Sequence, residues 1–171
     1  GAFIARINRR LNRGLFVPHQ TVNGIRIYYE EQGKGEPLIF INGLAFPMDL
    51  WFPQIRELSK DFRVIALDNR GIGQSDKPDE EYSIALMASD TVGLLKALGI
   101  KKAHIAGLSM GGFIAQEIAL SCPEIIDHLI FIATSTGGPR SREVGKPFCE
   151  KVSAAIAGKP AAEVYRTDLT L

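Results

Sequence analysis

The chain has 171 residues, 46% of them hydrophobic and 23% charged, with a formal net charge of +1. This is the composition of a soluble globular domain large enough to bury a sizeable core. The near-neutral balance gives no electrostatic reason to expect nucleic acid or an anionic membrane as partner, and no apolar stretch reaches the roughly 20 residues of a bilayer span. Cys122 and Cys149 follow no metal or redox spacing, so a reduced, cytoplasmic setting is expected.

Residues 1–29 contain no Asp or Glu but carry Arg6, Arg9, Arg10, Arg13 and Arg26. Phe3, Ile4, Ile7, Leu11 and Leu15 recur at helical spacing, so 3–13 reads as a basic amphipathic helix. It is either a targeting or membrane-surface segment or, on the favoured reading, a plain N-terminal extension over 1–17. Asn23-Gly24, between Gln20-Thr21-Val22 and Ile25 to Glu30, is a strong two-residue hairpin signal, and His19 precedes that hairpin. Leu38-Ile39-Phe40-Ile41 is an apolar run without alternation, which predicts a strand covered on both faces. A helix is predicted over Trp51 to Lys60, with Trp51, Ile55 and Leu58 inward, and a strand over Arg63 to Leu67 ending at Asp68.

Helical spacing resumes at Ile84, Met87, Val92, Leu94, Leu95 and Leu98, and Gly99 is a good stop. A short apolar strand, Ala103 to Ala106, then leads into Gly107-Leu108-Ser109-Met110-Gly111, and a helical run leaves it until Cys122-Pro123. Leu129-Ile130-Phe131-Ile132 is a further buried strand, Thr134 to Gly138 a loop, and short helical stretches are predicted near 147–157 and 160–170. A hairpin followed by strand–helix alternation predicts an α/β fold: a mostly parallel, doubly wound sheet with helices on both faces. Asn42, Asp68, Ser109 and Thr134 all follow strand ends, the rim where such sheets bind ligands.

The G-x-S-x-G pentapeptide carries the chemistry. Five letters alone are a weak signal, but a strand before and a helix after are what a nucleophile elbow requires. Small residues at Gly107 and Gly111 let the strand and helix backbones approach closely. The bland alternative is a Gly-rich turn whose serine caps a helix.

Three blocks in register resemble the α/β-hydrolase superfamily, in its esterase and enol-lactonase-like branch. They are Asn42-Gly43-Leu44 with Trp51 nine residues on, Asp68 to Asp76, and Gly107 to Gly112. The likeness runs from about residue 18 to 140, with 141–171 resembling the start of a helical lid. It implies that Ser109 forms an acyl-enzyme with an ester or lactone, and that the backbone N–H groups of Leu44 and Met110 hold the oxyanion. Asn42-Gly43 stands where many relatives have His-Gly, a minor departure because the hole uses backbone. Arg70 and Asp76 read as braces of their loop.

The general base is the larger departure. In this fold the order is Ser, then an acid, then His. His104 lies roughly 16 Å back along an extended strand at about 3.3 Å per residue, and His128 sits at the far end of the sheet. No carboxylate follows the 129–132 strand until Glu143. The resemblance therefore implies a fold incomplete at its C-terminal end, with acid and histidine beyond Leu171. It also implies an exposed apolar edge at 129–132, prone to self-association or to pairing with the remaining fragment. No metal or nucleotide cofactor is implied, and no substrate-binding residue can be named. An acyltransferase, a carbon–carbon bond hydrolase, or a non-catalytic ligand-binding or interaction module of the same fold are the alternatives.

Overall fold

The structure, a computed structural model, describes residues 19–136. The basic segment 3–13 and the helical stretches expected near 147–157 and 160–170 lie outside the described residues.

β1 (His19–Val22) pairs antiparallel with β2 (Ile25–Gln32), with Val22 opposite Ile25. Asn23 and Gly24 both have positive φ, 49° and 79°. That pair of left-handed residues gives the turn a twist matching that of its strands. His19 belongs to β1 rather than preceding it, a correction that costs the hairpin assignment nothing.

β2 also pairs antiparallel with β4 (Phe62–Leu67). From there the sheet is parallel: β3 (Glu36–Ile41) lies between β4 and β5 (Ala103–Leu108), and β6 (Ile126–Ile132) flanks β5. The spatial order is β1-β2-β4-β3-β5-β6. β3 and β6 begin earlier than their apolar runs suggest, while β5 begins at Ala103 as expected and runs on to Leu108. Polar Glu36 joins the ladder opposite Phe62, and polar Asp127 and His128 lie within β6 at a register shift, because strand extent follows the neighbouring strand and not hydrophobicity alone.

The helix expected over Trp51 to Lys60 is instead a 3-10 turn, Met48–Trp51, running into the short α1 (Phe52–Leu58). Pro53 sits in the first turn of α1, where its missing N–H costs nothing and its fixed φ starts a helix. α2 spans Ile84–Ala97; the Ser83 hydroxyl caps it by accepting from the Leu86 N–H at 3.1 Å, and Gly99 follows at φ 70°. α3 spans Met110–Ser121. Among the described residues no helix is long and apolar enough to cross a membrane.

Strand alternation separates two cores. Ile27, Ile39, Ile41, Ile65, Leu67 and Ile105 point to the face covered by α2 and α3. Tyr28, Leu38, Phe40, Val64 and Ala106 point to the face covered by Met48, Trp51 and Ile55, where the Phe40 and Trp51 rings stack at 4.4 Å. Helices therefore lie on both faces, as a doubly wound sheet requires. The 129–132 run lacks the burial its composition suggests and shows instead the exposed apolar edge that the resemblance implied. Among the described residues β6 is an edge strand, and Ile130 and Phe131 stay 44% and 48% exposed.

Candidate active site

β5 delivers the chain to Ser109, and α3 begins at the next residue. Ser109 adopts φ 52°, ψ −114°, a conformation that L side chains rarely hold. Such strain costs about 1–3 kcal/mol and persists only where the surroundings impose it. Here the Ser109 N–H donates to the Ile132 carbonyl at 2.9 Å. Its own carbonyl accepts from the Gly112 N–H at 2.9 Å and from the Thr134 hydroxyl at 2.8 Å.

Glycines make that bend possible. A Cβ on Gly107 would lie 2.2 Å from the Gly111 carbonyl oxygen, and one on Gly111 would lie 2.2 Å from that of Ile41. One on Gly112 would meet the Thr134 side chain at 2.4 Å, and one on Gly43 would stand 3.3 Å from the Ser109 Cβ. The ends of β3, β5 and β6 and the first turn of α3 thus meet backbone to backbone. The roles of Gly43 and Gly112 were not legible in the pentapeptide, because their contacts are made across strands.

Gly43 brings the loop after β3 against the serine, and Leu44 follows it, 54% exposed. Among the described residues, no protein acceptor takes the N–H of Leu44 or of Met110. The start of α3 directs its partial positive charge to the same place. Phe46, Leu50 and Phe113 expose apolar surface.

Behind this rim is a hydrogen-bonded frame. Buried Asn42 donates from Nδ2 to the Leu67 carbonyl at 3.1 Å, and Asn69 Nδ2 donates to the Asn42 carbonyl at 3.3 Å. Asp68 accepts from the backbone N–H of Met48 at 2.7 Å through one oxygen and from that of Gln74 at 2.8 Å through the other. Burial pushes the Asp68 carboxyl up to about 6, helped by nearby Asp49 and opposed by the two N–H donors and Lys77. Arg70 is forked onto Asp90 at 2.6 and 2.8 Å and also pairs with Glu80, while Asp76 holds Arg26. These contacts tie the 68–76 loop to β2, to α2 and to the segment that carries Leu44.

The histidines are elsewhere. His19 faces the Gln74 carbonyl at 3.2 Å, and His104 and His128 pack together at the amino ends of β5 and β6. None is hydrogen-bonded to Ser109, nor is any carboxylate among the described residues.

Comparison with known proteins fits this geometry. The profile of the alpha/beta hydrolase fold matches residues 36–147. BpoC of Mycobacterium tuberculosis, named provisionally as a non-heme bromoperoxidase, is 36% identical over 121 residues, covering 70% of this chain and 46% of its own. RutD of Azorhizobium caulinodans, named provisionally as a carbamate hydrolase, is 37% identical over 116 residues, covering 68% of this chain and 44% of its own. The enol-lactonase of Burkholderia xenovorans LB400 superposes with a TM-score of 0.69 at 33% identity, over 79% of this chain and 53% of its own. The chain thus spans about half the length of the relatives it matches. With sheet order and profile in agreement, it belongs to the α/β-hydrolase family.

Proposed function

We propose that this chain carries the nucleophile and the oxyanion hole of a serine hydrolase acting on carboxylic esters or lactones. Ser109 Oγ attacks the carbonyl carbon and its proton passes to a base. The oxyanion is held by the N–H groups of Leu44 and Met110 until it collapses and expels the alcohol, which is reprotonated. Water then releases the acid from the acyl-enzyme by the same steps. The observation that carries this reading is the strained Ser109 backbone, built at the cost of four glycines that tolerate no Cβ without movement. A mere helix cap needs no such strain, and Ser109 makes no capping bond from its side chain. Exposed Phe46 and Phe113 suit an apolar acyl or ring substituent.

On this reading the base comes from polypeptide outside these 171 residues, since His19, His104 and His128 are all engaged elsewhere. The lack of a histidine at Ser109 is also what a ligand-binding module of this fold would show. Fluorophosphonate labelling of the gene product carrying the matching C-terminal half separates the two. Labelling is expected on the peptide containing Ser109, abolished by Ser109→Ala, while the 171-residue chain alone turns over p-nitrophenyl acetate up to about 10⁶-fold more slowly. An unlabelled Ser109 in the longer protein overturns the hydrolase reading.

A further inference from the structure

Two histidines unused by the proposed reaction meet at the opposite end of the sheet. His104 Nδ1 and His128 Nδ1 lie 3.2 Å apart, and Asp127 Oδ2 lies 3.1 Å from the His128 nitrogen and 3.3 Å from that of His104. Ligands bound tetrahedrally at about 2.0–2.1 Å are held about 3.3 Å from one another. The triangle has the size of one face of a zinc tetrahedron.

The fold explains how neighbours in β6 converge on one residue of β5. Ala103 pairs with Ile126 and Ile105 with Leu129, so the register shifts between them and two residues, Asp127 and His128, stand opposite His104 alone. A bulge of this kind re-aims side chains that regular alternation would send to opposite faces. No sequence spacing announces this arrangement.

With both rings neutral, protons satisfy the arrangement poorly. His104 Nε2 lies 3.2 Å from Glu36 Oε2, which places the neutral ring's N–H on that nitrogen and leaves a lone pair on Nδ1. That lone pair and the Asp127 oxygen are both acceptors, and a neutral His128 has at most one Nδ1 proton to share between them. A cation bound by all three satisfies them together. Glu36 then holds the outer nitrogen of a ligating imidazole, the partner that fixes ring orientation in metal sites. Phe62, edge-on to the His104 ring at 5.7 Å, restrains it further. Lys102 lies 3.7 Å from the other Asp127 oxygen, leaving Oδ2 for the ion, and exposed His128 and Asp127 leave a path for entry.

We propose that His104, Asp127 and His128 bind a divalent transition-metal ion of the zinc class, with its fourth position open to water. Bound there, the ion clamps the start of edge strand β6 to β5.

The test is a Zn(II) titration of EDTA-treated protein against a chromogenic competitor, with the tetrahedral visible band of Co(II) as a second readout. One equivalent is expected to bind. Exposed His128→Ala and Asp127→Asn should each weaken binding at least about tenfold, and Glu36→Gln about 10–100-fold. His19→Ala should leave binding unchanged. Zinc should raise the Tm of the parent and not of His128→Ala, whose metal-free Tm controls for folding. Absence of stoichiometric binding, or parent-like affinity in both His128→Ala and Asp127→Asn, overturns the proposal. So does an effect confined to His19→Ala.

Discussion

Ser109 stores backbone strain in the place where the proposed chemistry needs it, and that makes its contribution to stability separable from its contribution to function. At φ 52°, ψ −114° a Cβ is unwelcome, whereas glycine populates positive φ freely. Ser109→Gly should release about 1–3 kcal/mol of strain and lose roughly 1 kcal/mol to the freer unfolded chain. The net expectation from urea unfolding is a variant as stable as the parent or up to about 2 kcal/mol more stable. A loss above about 1 kcal/mol would show that the bend is relaxed and that the side chain holds it. The serine and the two flanking glycines were legible because a strand, a sharp bend and a helix in succession are a local pattern. Thr134 was legible only as a residue on the rim. Its hydroxyl on the Ser109 carbonyl, and its methyl against Gly112, come from the segment just past β6, 25 residues on.

At the scale of elements, the loops after β3 and β4 are held by one buried carboxylate. Asp68 accepts from Met48 and Gln74, and Gly73 leaves no room for a Cβ beside it. Its carboxyl is raised to about 6 from the ordinary 3.8, chiefly by burial. The folded protein therefore binds this proton more tightly than the unfolded chain does. The stability this brings is complete below about pH 4 and is lost as pH rises through about 6. Between pH 5 and pH 8 the loss amounts to about 1–2 kcal/mol. Asp68→Asn, which cannot titrate, should flatten that slope whatever its effect on absolute stability. Chemical denaturation of parent and variant at the two pH values checks this, and parallel profiles would remove Asp68 as the titrating group. The sequence marked Asp68 as the end of a strand on the rim. It could not show the burial that perturbs it, which depends on the 3-10 turn at Met48–Trp51 folding over it.

At the scale of the whole molecule, the chain contains its own control on how far local sequence decides burial. Residues 38–41 and 129–132 are the same tetrapeptide, Leu-Ile-Phe-Ile, and both read as buried strands. Both are strands, since β-branched and aromatic side chains suit a pleated surface in either place. Their surroundings differ because topology places β3 between β4 and β5 and leaves β6 beside β5 alone among the described residues. Leu38, Ile39, Phe40 and Ile41 are at most 4% exposed, against 44% and 48% for Ile130 and Phe131. Sheet order depends on which crossovers the helices make, and no window of four residues carries that information. The same substitution made at both copies should therefore have unequal consequences. Ile39→Ala removes three carbons from a packed interior and should cost about 2–5 kcal/mol. Ile130→Ala removes them from a half-wet edge and should cost less than about 1 kcal/mol. Phe40→Ala and Phe131→Ala should repeat the contrast, more steeply because Phe40 also stacks on Trp51. Equal losses at the two copies, measured by denaturant midpoints at unchanged m-value, would mean that β6 is as enclosed as β3 in solution.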